Sequence, residues 1–163
     1  AAILGEIVGY GMTCDAFHLT APDAEGFGAA RAMKIAMREA GIEPTMVDYI
    51  NAHGTSTEAN DLMETKAIKH AFGSHAYNLK VSSTKSMTAH LIAAAGAVEA
   101  IVSLPAIRDS FIPCTLNLSE PDPACDLDYV PNIGQHGTIR YALSESLGFG
   151  GHNGALVYTG YDE

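Results

Sequence analysis

Three times along this chain a short apolar run ends in a turn or loop and passes into ten or more residues at helical spacing. That alternation limits the fold more than any other feature. Strands separated by helices of that length are joined by crossovers and pair mainly in parallel, with both faces of the sheet covered. The segments are a strand over 3–10, a helix from about Gly26 closed by Gly41, and the strand "VDYINA". A helix over roughly 58–72 closed by Gly73, the strand "NLKVSSTK" and an apolar helix over 91–104 follow. Glycine just past the last helical residue is the expected stop. Pro105 is expected to end or kink the third helix, because proline lacks an amide donor and clashes with the preceding turn. "LDYVP" reads as a short strand, and "TIRYALSESLGFGGHNGALVYTGY" as a hairpin broken by a Gly-rich turn. The order is βαβαβα followed by ββ, an α/β chain with a mainly parallel sheet.

With 163 residues, 47% hydrophobic and 17% charged, the chain can bury one real core and is not disordered. Its net charge of −10 argues against nucleic acid or an anionic membrane as a partner held by bulk electrostatics. Arg31, Lys34 and Arg38 recur at helical spacing and read as a solvated helix face rather than a binding patch. Cys14, Cys114 and Cys125 lack metal or CxxC spacing, and their odd number suits a reducing compartment. His70 and His75 flank a helix end without an HExxH pattern, so no metal site is expected. The run "LIAAAGAVEAIVSL" is short for a membrane span and carries Glu99 in its middle, so it reads as a buried core helix. The opening "AAILGEIVGYGM" does not start with Met and shows no signal peptide. It enters an apolar run at once, as natural domains do and as do chains cut from larger ones.

Ligands of mainly parallel sheets gather beyond the carboxyl ends of the strands. Three segments arrive there: His53 in "NAHGTST", Lys85 and His90 in "VSSTKSMTAHL", and "GFGG" at 148–151. His53 either faces a ligand or is a buried, hydrogen-bonded histidine beside a "TST" that caps the next helix. His90 is expected near a helix N-terminus, where the dipole disfavours imidazolium. A neutral histidine there is a suitable donor to a developing enolate or thioester oxyanion. Glu99, inside an apolar helix, needs a partner, and Lys85 is the best placed. That pair reads as functional or as purely structural. "GFGGHNG" lacks both GxGxxG and the GK[ST] ending of a phosphate loop. It is either a hairpin turn or backbone approaching a ligand, with the Phe149 N–H aimed at it.

Together, "NAHGTST", "VSSTKSMTAHLIAAAGAVEA" and "SESLGFGGHN" resemble the C-terminal half of the elongating β-ketoacyl-acyl-carrier-protein synthases, the condensing enzymes of fatty-acid synthesis. "GEIVGYGMTCDAFHLTAPD" and "PCTLNLSEPDPACDLDYVP" look like the same family's connecting segments, so the resemblance covers essentially the whole chain. It implies a thiolase-like fold, with 1–163 as one C-terminal half-domain of a homodimer and the N-terminal half, which carries the Cys nucleophile, absent. It implies an acyltransferase active only with that half. The acylated Cys would receive the carbanion formed when malonyl-acyl-carrier protein loses CO2. His53 and His90 match the histidines of the malonyl half-reaction, Lys85 the active-site lysine and Glu99 its associated acid. Thr55 and Thr57 match contacts to the phosphopantetheine arm, and Phe149 the gating residue whose N–H joins an oxyanion hole. No cofactor is implied, since phosphopantetheine arrives on the acyl carrier protein. Cytoplasm is implied for a bacterial protein, plastid or mitochondrion otherwise.

The chain departs from the family's usual pattern at Asn60, Ala89 and Ala93, commonly Gly, and at Glu145-Ser146-Leu147, often Asn-Ser-Phe. His152 and Pro105 depart as well. Two other readings stay open: a decarboxylase or chain-length-factor subunit whose partner half lacks the Cys, and a non-catalytic scaffold of the same fold. The histidine pair and the lysine weigh against both.

Overall fold

A computed structural model describes residues 1–161. Its strands are β1 (Glu6–Cys14), β2 (Val47–Asn51), β3 (Lys80–Ser82), β4 (Phe111–Ile112), β5 (Gln135–His136), β6 (Tyr141–Gly148) and β7 (His152–Thr159). Five of them form the main sheet in the order β1-β7-β6-β2-β3, while β4 and β5 make a separate two-stranded ribbon. β2 lies parallel to both β6 and β3, and β7 runs antiparallel between β1 and β6. Four of the five strands therefore point one way. The carboxyl ends of β1, β6, β2 and β3 open at the same edge.

β2 carries the continuous apolar sequence of a doubly covered strand, with Val47, Tyr49 and Ile50 buried. On one face of the sheet lie α1 (Phe27–Glu39) and α2 (Glu58–Phe72), closing a core that includes Met33, Ile50, Ile68, Val81 and Leu143. α1 buries a stripe of alanines and methionines and leaves Arg31, Lys34 and Arg38 exposed, the solvated face expected of them. Its small residues let it lie directly on β1. A Cβ at Gly11 would sit 2.0 Å from the Ala32 carbonyl oxygen, so only glycine permits this approach. Both helices stop where glycine takes a positive φ, at Gly41 (67°) and Gly73 (58°).

The opposite face is covered by α4 (Ala95–Asp109), with Tyr49, Ala106, Ile112 and Val130 in a smaller core. Here the structure corrects the sequence expectations. α4 begins at Ala95 rather than 91 and continues through Pro105 to Asp109. The proline leaves unmatched the carbonyl of Ile101, which lies on an exposed flank (68% exposed), where solvent can replace the missing donor. Nor is this helix a buried one. Its buried residues are Ala95, Glu99, Ser103 and Ala106, while Val98, Val102, Leu104 and Ile107 are half-buried and Ile101 is exposed. "LDYVP" forms no strand. It contributes the Asp128 carbonyl, which accepts the Val81 N–H at the edge of β3, and an isolated bridge between Pro131 and Thr115. The first strand runs over 6–14 rather than 3–10, and the third shrinks to three residues.

Candidate active site

The turn after β2 is built around a buried carboxylate. Glu64 on α2 is 3% exposed, and its two oxygens accept the His53 N–H at 2.6 Å and the Gly54 N–H at 2.8 Å. Asn60, one helical turn earlier, donates to it at 3.1 Å. From the side of β3, Ser83 donates its hydroxyl to the Gly54 carbonyl at 2.7 Å. Gly54 has φ 41°, and a Cβ there would lie 2.4 Å from that of Ser83. Donors and acceptors of the turn are thus met from both sides, and His53 is fixed at 7% exposure. Thr57 occupies the N-cap of α2 but makes no side-chain cap bond; its hydroxyl instead meets that of Thr55 at 3.1 Å.

His90 is held differently. It follows α3 (Lys85–Thr88), a single turn, and precedes a short 3₁₀ turn at Ile92–Ala94, so it does not stand at the N-terminus of a long helix. It is exposed, and its Nδ1 accepts the Ile92 N–H at 3.1 Å. An accepting Nδ1 puts the ring proton of the neutral form on Nε2. The residues beside it, Ala89 (φ 59°) and Ile92 (φ 52°), both have positive φ, a costly conformation for a side chain and most of all for a β-branched one.

The two imidazoles meet edge-on, with ring centroids 5.3 Å apart and planes at 83°. Burial, with the nearby Lys85 charge and His90 adding to it, pulls the His53 pKa down to about 3, so this ring is neutral in the physiological range. Its Nδ1 is buried without a partner. Beneath the pair, Lys85 and Glu99 form a buried ion pair, their side chains 6% and 3% exposed. The other Glu99 oxygen accepts from Ser146 at 3.3 Å and lies 3.5 Å from the Ser144 hydroxyl. Lys85, Thr55, Gly54 and Glu64 also line a cleft of about 510 Å³ that neither histidine enters. Phe149 sits 78% exposed in the β6–β7 turn. That turn is tied to the loop after β1 by the Gly150 N–H donating to Leu19 and the Asp15 N–H donating to Gly151.

The structure therefore brings His53, His90, Lys85 and Glu99 together, with Thr55 on the adjoining cleft and Thr57 behind it. Among the described residues no side-chain hydrogen bond, ion pair or ring contact links Phe149 to them. Sequence reading passed over Glu64, and named Glu145 and Asn60 only as departures from the family pattern, with no role for either. The signal was present: Asn60, Met63, Glu64, Ala67, Ile68 and Ala71 form one buried stripe of α2 at helical spacing, and an acid inside such a stripe must be doing something polar. Among the described residues no cluster of His, Cys, Asp and Glu side chains is arranged to hold a metal, and no helix is long and apolar enough to cross a membrane.

Comparison with known proteins identifies the family of the chain. The 3-oxoacyl-[acyl-carrier-protein] synthase 2 of Synechocystis sp. is 56% identical over 161 residues, covering 99% of this chain and 39% of its own length. The enzyme of that name from Staphylococcus aureus is 58% identical over 162 residues with the same coverage. The chain thus spans about two fifths of the curated relatives it matches. A solved ketosynthase, bound to a hexaketide and in complex with its type II PKS acyl-carrier protein, superposes with a TM-score of 0.96. It is 41% identical and aligns over 99% of this chain and 40% of its own. The fold is the thiolase-like fold of the ketosynthases. Residues 4–119 match the family described as "Beta-ketoacyl synthase, C-terminal domain", and the chain belongs to that family.

Proposed function

We propose that this chain forms the C-terminal part of a 3-oxoacyl-acyl-carrier-protein synthase acting in fatty-acid elongation, and that it supplies the malonyl half of a decarboxylative Claisen condensation. The observation that carries the reading is the edge-on pair of His53 and His90 above the buried Lys85–Glu99 pair. Neither ring is set up as a base for a local nucleophile. Both serve better as N–H donors to an oxygen that gains charge.

In this mechanism malonyl-acyl-carrier protein threads its phosphopantetheine arm past Thr55 and Thr57. The bond to the carboxylate breaks, CO2 leaves, and the electron pair becomes a thioester enolate whose oxygen His90 and His53 stabilise. The enolate carbon attacks an acyl group held as a thioester on a Cys outside this chain. The Phe149 N–H joins the donors to that oxyanion, and collapse expels the Cys thiolate. Lys85, paired with Glu99, sets a positive charge under the site and adds to the burial that keeps His53 neutral. The relatives' names and the carrier-protein complex of the solved ketosynthase support the acyl carrier protein as partner.

Ile7, Met12, Ile92 and Ile101, 60–77% exposed, are apolar side chains that the rest of the enzyme and a second copy would cover. The working compartment in this reading is the bacterial cytoplasm. The test is to incubate the complete protein with acyl- and malonyl-acyl-carrier protein. One CO2 released per 3-oxoacyl thioester supports the proposal. CO2 without condensation replaces it with the decarboxylase reading.

A further inference from the structure

Glu145 is the acid that none of this uses. On β6 its neighbours Ser144 and Ser146 face Glu99 and α4, so alternation along the strand turns Glu145 to the other face of the sheet. There it is fully buried, with Leu143 and Leu147 of the α1–α2 core on its own side of the strand. Neither of its carboxyl oxygens meets an N–H or hydroxyl donor among the described residues. The group it faces is Glu64. The charged groups around it are few: Glu64 and Asp61 on α2, and on α1 only the outward-facing Arg31, Lys34, Arg38 and Glu39. Asp48 of β2 is engaged by Arg140, and His152 of β7 is exposed.

Two carboxylates facing each other in an apolar core cannot both ionise, and among the described residues no Lys or Arg forms an ion pair with either. The surroundings decide which one keeps the proton. Glu64 accepts from His53, Gly54 and Asn60, all of which favour its charged form, while Glu145 has nothing to stabilise a charge. Burial first, and the Glu64 charge second, hold the Glu145 carboxyl well above the ordinary range.

We propose that Glu145 is a positioning residue of the site: it stays protonated, donates its O–H to the Glu64 carboxylate, and through Glu64 fixes the backbone that carries His53. Asn60 then acquires a role. Its amide and the Glu145 proton are the two side-chain donors to Glu64. The anchor of His53 is a carboxylate fed by two backbone amides, one side-chain amide and one carboxylic acid.

Only the kinetic part of the test rests on the proposed function. Infrared spectra of the complete protein at neutral pH should contain a protonated-carboxyl band that shifts in heavy water and is missing from Glu145→Gln. No such band, or a band that persists in that variant, overturns the proposal whatever the protein catalyses. In condensation assays Glu145→Gln, whose amide can donate to Glu64, should keep kcat close to wild type. Glu145→Leu, of similar size without a donor, should lower kcat about tenfold with KM little changed. If Leu performs as well as Gln, the side chain merely fills space and the positioning role is wrong.

Discussion

The two histidines that meet in this site are supported in opposite ways. His53 stands on a turn whose amides, carbonyl and neighbouring side chains are all engaged, at 7% exposure. His90, with its ring centroid only 5.3 Å away, hangs on a bridge between a single helical turn and a 3₁₀ turn, exposed and flanked by two positive-φ residues. One is fixed by long-range hydrogen bonds to other elements; the other is aimed by local backbone strain. A site divided in this way can keep a rigid wall on one side and an adjustable donor on the other.

The largest expected effect falls on what lies beneath both. Lys85→Ala leaves Glu99 as an uncompensated buried charge and should cost about 3–5 kcal/mol in denaturant unfolding of the complete protein. Lys85→Met combined with Glu99→Leu should regain most of that loss. Unfolding unchanged by Lys85→Ala would show that the pair carries no desolvated charge. Next, Glu64→Ala strips the acceptor from the His53 and Gly54 amides and should cost about 2–4 kcal/mol. That loss should weaken His53 specifically, leaving the His90 bridge intact by amide exchange.

The pH dependence separates the two rings further. The folded pKa of His53 is depressed to about 3, so below pH 6.5 the unfolded chain binds a proton that the folded one refuses. Stability should therefore fall as pH drops from 6.5 toward 3, by about 1.4 kcal/mol per unit, and His53→Gln should remove that slope. An unchanged slope in the variant would mean that the ring is not held neutral by burial. The smallest effect tests the strain at the other histidine. Ala89 has φ 59° and ψ −178°, a region nearly reserved for glycine, and Ala89→Gly should raise stability by about 1 kcal/mol. Loss of stability on that change would show that the bridge is not strained.

The same contrast explains what could be read in the sequence. β2, α1, α2 and the β6–β7 hairpin are written in local periodicity and in glycine stops, so their places were legible. The convergence of His53, Lys85 and His90 at one sheet edge followed from that topology. α4 was misjudged because composition cannot show which apolar side chains of a helix its own chain covers. Ile92 and Ile101 would look the same covered or exposed. Pro105 misled because the penalty for an interior proline is small where the orphaned carbonyl is at an exposed flank. The carboxyl pair under His53 needed the tertiary structure, since Glu64 and Glu145 lie far apart in sequence, one on α2 and the other on β6.

The most direct test of the central claim uses His90→Ala in the complete protein, following acyl transfer onto the enzyme and CO2 release from malonyl-acyl-carrier protein side by side. The account predicts acyl transfer at close to the wild-type rate and a loss of decarboxylation on the order of a hundredfold or more, the effect of removing one donor to a developing oxyanion. Condensation continuing at near the wild-type rate would contradict it.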